Sequence, residues 1–95
     1  MARTNQVVVV VGDVSGADEL HQRLMTALDF PAFYGRNWDA FWDSITGLVE
    51  MPRNLRLEGW SDFAARLPRD AQLMKECLEQ MLRESPERAA TVEYA

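Results

Sequence analysis

Five consecutive valines at residues 7–11 are the sequence feature that most limits the fold of this chain. Valine is β-branched and favours strands, and an apolar run without polar alternation is typical of a strand in the interior of a parallel sheet. We therefore expect a strand over residues 6–12 that is buried on both faces. Helices should then cover both faces of the sheet.

The residues after this strand predict a turn followed by a helix. Ser15 is the expected N-cap, and Asp18 stands three residues later, where a capping-box acid belongs. The helix should run over residues 16–28 and end before Phe30 and Pro31, because the residue before a proline disfavours helical geometry. Its expected buried side consists of Ala17, Leu20, Leu24 and Leu28.

A short helix with two unlike sides is predicted within residues 33–50. Asn37 is the expected N-cap, since its side-chain oxygen can accept a backbone N–H of the first turn, and Gly47 is the expected end. At about 100° per residue, one side of this helix is apolar and should face the core. This core side consists of Trp38, Phe41, Ile45 and Leu48.

An acidic stripe beside that core side is the main candidate site. Trp42 stands at its edge, followed in angular order by Thr46, Asp39, Asp43 and Gly47. Carboxylates at i and i+4 repel each other, which costs an isolated helix roughly 0.2–0.5 kcal/mol. The helix dipole favours Asp39 in the first turn but offsets little of this cost at Asp43. Two interpretations stay open: a solvated acidic face, or a face that meets a cationic partner.

Two further strands are expected in the second half of the chain, at residues 54–58 and 91–94. The alternation in the first of them predicts charged side chains that face outward or lie at a sheet edge. Strands separated by helices imply parallel neighbours with right-handed connections. The sequence therefore predicts a single small α/β domain over residues 1–95, with a three-stranded parallel sheet flanked by about four helices.

Two helices are expected between these strands. Residues 60–65 predict one or two helical turns capped by Ser61, and a longer helix should begin at Pro68 or Asp70. Apolar residues recur at helical spacing in the longer helix and should form its buried stripe. That stripe consists of Leu73, Met74, Cys77, Leu78, Met81 and Leu82.

The charge of the chain limits the kind of partner it can have. The formal net charge is -5, and residues 1–50, with 3 bases and 7 acids, supply -4 of it. Phosphate repels such a surface, so we expect no nucleic-acid binding and a basic protein as partner. The apolar run is too short to span a bilayer, so no membrane binding is expected. A lone cysteine and an opening without a secretory signal predict the reducing cytoplasm.

The residues do not combine into a catalytic or metal-binding set. His21 has no second histidine, cysteine or suitably spaced carboxylate pair, so we expect a structural role for it and no bound metal. The turn at residues 12–16 lacks the glycine-rich phosphate-binding patterns. Asp39 and Asp43, roughly 6 Å apart along a helix, match glycosidase carboxylates in spacing but come from one exposed turn. We therefore expect neither catalysis nor a cofactor, and aromatic residues beside acids favour a protein interface.

Residues 33–43, Phe-Tyr-Gly-Arg-Asn-Trp-Asp-Ala-Phe-Trp-Asp, followed by Ile-Thr-Gly at residues 45–47, resemble the signature of the barstar family of ribonuclease inhibitors. The similarity extends through residues 7–60 and continues more loosely to the end. It implies an intracellular immunity protein that blocks the active site of a basic, barnase-like ribonuclease with its acidic helix. The expected complex is one to one, and the free protein is expected to be a monomer. A barstar-like adaptor for a basic protein other than a ribonuclease is the alternative.

The resemblance also implies which residues touch the partner. Asp43 would enter the place of the substrate phosphate and meet arginine and histidine side chains of the enzyme. Two positions depart from the family pattern: Leu48 replaces a tryptophan, and Phe33 replaces a tyrosine. On the last helix, Glu84 is the first choice for an acidic contact and Glu79 the second. The complete expected set is Asp43, Asp39, Trp42, Thr46, Gly47, Phe33, Tyr34, Asn37, Leu48 and Glu84.

Overall fold

Three parallel strands form one sheet in the order β1 (Gln6–Val10), β2 (Asn54–Glu58) and β3 (Thr91–Tyr94). The computed structural model describes residues 3–95, so Met1 and Ala2 of the predicted domain lie outside the described residues. The predicted three-stranded parallel sheet is confirmed. β2, whose alternation left an edge position open, is the central strand.

Four α-helices connect and flank the strands, which confirms the predicted helix content. They are α1 (Ala17–Leu28), α2 (Trp38–Asp43), α3 (Trp60–Arg66) and α4 (Pro68–Glu84). A π-helical segment, Ser44–Leu48, continues α2 by a little more than one turn. The proline that opens α4 suits the first helical position, where a backbone N–H would have no partner.

The core lies between the helices and one face of the sheet. Val9 and Leu55 point into it, whereas Val8 and Val10 are about half exposed on the opposite face. The expectation that helices cover both faces is therefore wrong. Because side chains alternate along a strand, every second valine is buried and the others lie on the open face. On that open face Arg56 forms two ion pairs, one with an acid on β2 and one with an acid on β3.

The start of α1 differs from the prediction. Gly16, in an extended conformation, is the N-cap, and it makes no side-chain capping bond, so the assignment to Ser15 is wrong. Instead the Glu19 carboxylate reaches back and accepts the Ser15 N–H at 2.7 Å. Ala17 is exposed, contrary to expectation. The buried side of α1 consists of Leu20, His21, Leu24 and Leu28.

The N-cap of α3 is Gly59, so the prediction of Ser61 is wrong. The backbone of Gly59 lies against that of Gly12. Gly59 has a φ of 79°, and a Cβ at this position would lie 2.5 Å from the Cα of Gly12. Only glycine fits both this left-handed conformation and this approach. The end of β1 is thereby packed directly against the start of α3.

The buried stripe of α4 is narrower than predicted. Leu82 is about half exposed, and Leu73 and Cys77 are half-buried. Leu82 lies about 100° beyond the last buried position, which turns it towards solvent. The buried residues of α4 are Ala71, Met74, Leu78 and Met81.

Candidate partner-binding surface

A tight loop and a side-chain cap place the start of α2. Asn37 is extended, and its Oδ1 atom accepts the backbone N–H of Ala40 at 2.7 Å. Its Nδ2 atom donates to the Gly35 carbonyl at 3.2 Å, so both ends of the amide are used locally. The predicted N-cap is confirmed. Asn37 fixes the start of α2, and its contact with a partner stays a prediction.

Trp38 anchors α2 between two other helices. Its indole Nε1 donates to Asp70 Oδ1 of α4 at 2.9 Å, and its ring centroid lies 4.5 Å from that of His21 on α1. Phe41 packs edge-on against the same indole, at 5.2 Å between centroids. The orientation of the outer side of α2 therefore follows from contacts on its inner side.

His21 and Tyr34 form a buried polar pair beneath the loop before α2. The imidazole Nδ1 lies 2.6 Å from the Tyr34 hydroxyl oxygen, which is hydrogen-bond distance. Burial lowers the pKa of His21, and the opposing charges of Asp70 and Asp18 offset only part of this effect. The predicted structural role of His21 is confirmed.

Tyr34, one of the candidate contact residues, is almost fully buried in the free protein. Its side chain is only 7% exposed, and burial raises the pKa of its hydroxyl well above the usual range. With its ring against Phe30 and its hydroxyl against His21, it supports the loop from inside. The aromatic residue that faces solvent here is Phe33, which is 76% exposed.

The π-helical segment changes the side on which Leu48 lies. Val49 donates its N–H to the Ser44 carbonyl five residues back, at 3.1 Å, which marks the wider π geometry. Ile45 is fully buried as predicted, but Leu48 is 51% exposed, so its assignment to the core side is wrong. The wider turn rotates residues after Asp43 away from the 100° spacing of an α-helix. Leu48 consequently joins the outer surface.

The two carboxylates of α2 face solvent and are not paired with a cation of the described residues. Asp39 and Asp43 are exposed, and neither forms an ion pair or a side-chain hydrogen bond with any residue of the described chain, 3–95. Trp42, at the edge of the acidic stripe, is half-buried. The arrangement leaves two fixed negative charges on a rigid helix beside an aromatic ring.

An open groove separates these carboxylates from α4. Its α2 side is formed by Trp38, Asp39, Trp42 and Asp43, and its α4 side by Leu73, Glu76, Cys77 and Gln80. Sequence reasoning did not identify the α4 residues as part of the site, because their position depends on how two distant helices pack. Burial raises the pKa of the Cys77 thiol, and the charges of Glu76 and Asp39 raise it further, so the thiol stays protonated at neutral pH.

Thr46 and Gly47 lie on the π-helical segment at the far end of the acidic stripe. The Thr46 hydroxyl donates to the Trp42 carbonyl at 2.6 Å, and the Thr46 carbonyl accepts from Arg88 at 2.5 Å. Gly47 is exposed, and a Cβ added to it would meet no atom within 4 Å. A partner could therefore approach the backbone closely at this position.

The candidate acids at the end of α4 differ in their surroundings. Glu84 is exposed and accepts a 2.7 Å hydrogen bond from Gln80, which itself lines the groove. Glu79 instead lies near Tyr94, whose pKa is raised to about 12 mainly by burial and in part by that carboxylate. This placement favours Glu84 over Glu79 as a continuation of the acidic surface.

Two kinds of feature, a metal cluster and a membrane-spanning helix, are absent from the described residues. Nowhere in residues 3–95 do three histidine, cysteine, aspartate or glutamate side chains come together as a metal site would require. In the same part of the chain, none of the helices combines the length and the apolar character needed to cross a bilayer. What the surface does present is charge and exposed apolar area on a fixed helix.

Comparison with known proteins agrees with the resemblance seen in the sequence. A family model described as Barstar (barnase inhibitor) matches residues 4–94. YrdF of Bacillus subtilis (strain 168), which is named as a proposed ribonuclease inhibitor, is 40% identical over 55 residues. These residues make up 58% of this chain, and the match spans only 60% of the length of that relative.

Proposed function

This chain belongs to the barstar family, and we propose that it inhibits a basic, barnase-like ribonuclease by placing α2 in the active site of the enzyme. The observation that carries this proposal is the pair of exposed, unpaired carboxylates of Asp39 and Asp43. Such a pair costs free energy in the free protein unless a partner supplies positive charge. A ribonuclease active site must supply it, because it binds a phosphodiester.

In this proposal, Asp43 takes the place of the substrate phosphate. A carboxylate on a rigid helix accepts charge-assisted hydrogen bonds from arginine and protonated histidine, as a phosphate does. Asp39 stands one turn earlier and extends the negative surface towards the rim. The overall charge of -5 accelerates encounter with a basic enzyme and disfavours acidic proteins.

The remaining contact residues frame these carboxylates. Phe33 before α2 and Leu48 after it are the large exposed apolar side chains next to the acidic stripe. When such side chains pack against a partner, they exclude water from the charge pairs beside them, which strengthens those pairs. Trp42, Thr46, Gly47 and Glu84 complete the proposed contact surface.

The two departures from the family pattern affect this frame and leave the two carboxylates in place. Leucine at position 48 offers less area than tryptophan, and phenylalanine at position 33 cannot donate a hydroxyl hydrogen bond. We infer that the cognate enzyme differs from barnase where these two side chains meet it. The proposed role is that of a cytoplasmic immunity protein, monomeric when free, that binds its enzyme one to one.

An inhibition assay tests the proposal. A guanyl-specific, barnase-type ribonuclease is titrated with this protein, with an Asp43→Ala variant and with an Asp62→Ala variant. Asp62 is an exposed acid in the first turn of α3, outside the groove, so its loss changes the net charge equally. We expect complete inhibition at equal molar amounts by the wild type and by Asp62→Ala, and loss of it in Asp43→Ala.

Two other outcomes would contradict the proposed inhibition, and the second of them would favour the adaptor interpretation. If the wild type binds the ribonuclease without reducing its activity, α2 does not occupy the active site and the proposed mechanism is wrong. If it binds no enzyme of this class, affinity capture on the immobilised wild type and on Asp43→Ala would show whether another basic protein depends on the same carboxylate.

A further inference from the structure

Arg88 connects the loop before β3 to the π-helical segment. Its Nη2 atom donates a hydrogen bond of 2.5 Å to the backbone carbonyl of Thr46. The chain leaves the helix at Val49, which is extended, so no following turn supplies an N–H to this carbonyl. Arg88 provides the donor that the end of the helix lacks.

The backbone that carries Arg88 is itself held in place. Its N–H donates to the Ser85 carbonyl at 3.0 Å, and its carbonyl accepts from Arg3 Nη2 at 3.1 Å. The two alanines that follow, at positions 89 and 90, are buried. A side chain with a fixed base loses less freedom when its tip forms a hydrogen bond, which makes this bond more persistent.

Arg3 ties this loop to the chain that follows the π-helical segment. Besides the Arg88 carbonyl, its guanidinium donates to four further backbone carbonyls, at distances from 2.9 to 3.2 Å. Two of these belong to the loop before β3 and two to the connection that leads into β2. The four carbonyls are those of Glu87, Ala89, Met51 and Pro52.

We propose that Arg88 is a positioning residue for ribonuclease binding: it holds Thr46, Gly47 and Leu48 in the conformation that meets the enzyme. This inference rests on the proposed function. The positioning effect of Arg88 can be distinguished from the effect of its charge, because the two change the affinity for the enzyme in opposite directions. An exposed cation at the rim of an acidic surface repels a basic enzyme, so charge alone predicts tighter binding when Arg88 is removed.

Arg83 supplies the matched control. It is an exposed arginine in the last turn of α4, and its replacement by alanine changes the net charge by the same amount. Association and dissociation rates with the ribonuclease are measured for Arg83→Ala and Arg88→Ala. We expect faster association for both, and for Arg88→Ala a much faster dissociation, so that its Kd rises about tenfold. Arg88→Lys, which retains one donor, should recover part of the slow dissociation.

Equal rate constants for Arg83→Ala and Arg88→Ala would overturn the inference, provided that the wild type binds the enzyme. If the wild type does not bind, the proposed function is wrong, and the role of Arg88 must be tested without the enzyme. Amide hydrogen exchange of the free protein provides that separate test. We expect the Val49 amide, bonded to Ser44, to exchange faster in Arg88→Ala than in Arg83→Ala. Equal exchange of this amide in the two variants would show that Arg88 does not hold the segment.

Discussion

The indole nitrogen of Trp38 donates a 2.9 Å hydrogen bond to the carboxylate of Asp70, which joins the first residue of α2 to the first turn of α4. The same indole contacts His21 of α1. The helix that carries the proposed contact residues is thus held from two sides by residues that a partner never needs to touch. Stability and binding can therefore be separated by mutation.

We expect Asp70→Ala to lower the free energy of unfolding by about 1–2 kcal/mol, because a half-buried, charge-assisted hydrogen bond is lost. Asp70→Asn keeps an oxygen that can accept the indole N–H and should cost less. Urea denaturation measures both values. Asp62→Ala removes an acid from the first turn of α3, so its cost in free energy of unfolding measures the interaction with the helix dipole alone. A cost for Asp70→Ala no larger than that control would contradict the anchoring role.

Gly47→Ala should weaken ribonuclease binding without lowering stability. The added methyl group meets nothing within 4 Å in the free protein, so only a partner pressed against this backbone would clash with it. Isothermal titration calorimetry with the ribonuclease and thermal unfolding of the free variant measure the two effects. Unchanged binding by Gly47→Ala would remove Gly47 from the contact surface.

Gly59→Ala is expected to behave in the opposite way. The left-handed conformation alone costs a non-glycine residue roughly 1–2 kcal/mol, and the contact of 2.5 Å with Gly12 adds a clash. The midpoint of urea unfolding should therefore fall clearly. Any folded variant should keep its affinity for the ribonuclease, since Gly59 lies outside the groove between α2 and α4. A Gly59→Ala protein as stable as the wild type would contradict the tight approach of the two glycines.

The stability of the free protein should decrease as pH falls below about 6.5, the ordinary pKa of histidine. Burial lowers the pKa of His21 in the folded protein, so the unfolded chain binds the proton first and the free energy of unfolding rises with pH in this window. The decrease should end once the pH falls below the folded-state pKa of His21. Urea titrations from pH 7.5 down to about 5, above the main carboxylate range, measure this slope. We expect His21→Gln to flatten it, and an equal slope in that variant would assign the effect to other groups.

Local patterns in the sequence predicted the framework of this fold correctly. The valine run, the apolar spacing in α4 and the cap at Asn37 each depend on neighbours within a few residues. For that reason, the strands, the four helices and the start of α2 could be predicted without tertiary information. The same holds for the structural role of His21, which is buried and bonded to Tyr34.

The sequence is less informative where distant parts of the chain decide the structure. Leu48 was assigned to the core because nothing in the local sequence marks the switch from α to π geometry after Asp43. Tyr34 is as aromatic as Phe33, and only its bond to His21 distinguishes an internal support from an exposed side chain. Similarly, Glu76 enters the site only through the packing of α4 beside α2.

The placement of Glu76 makes it unsuitable as a control for Asp43. Both residues line the same groove, so Glu76→Ala could itself weaken binding. Asp62→Ala is the better reference, because it removes an equal charge from α3. Any change in affinity that the two variants share results from the net charge of the protein. Only the difference between their affinities measures the contribution of Asp43 at the site.

The most direct test is therefore the Kd of a barnase-type ribonuclease for the wild type, Asp43→Ala and Asp62→Ala, measured by isothermal titration calorimetry. Removing one partner of a buried ion pair costs roughly 3–5 kcal/mol. We expect Asp43→Ala to raise Kd by at least about a hundredfold, while Asp62→Ala stays within a few-fold of the wild type. Equal changes in the two variants would contradict the claim that Asp43 occupies the phosphate position of the enzyme.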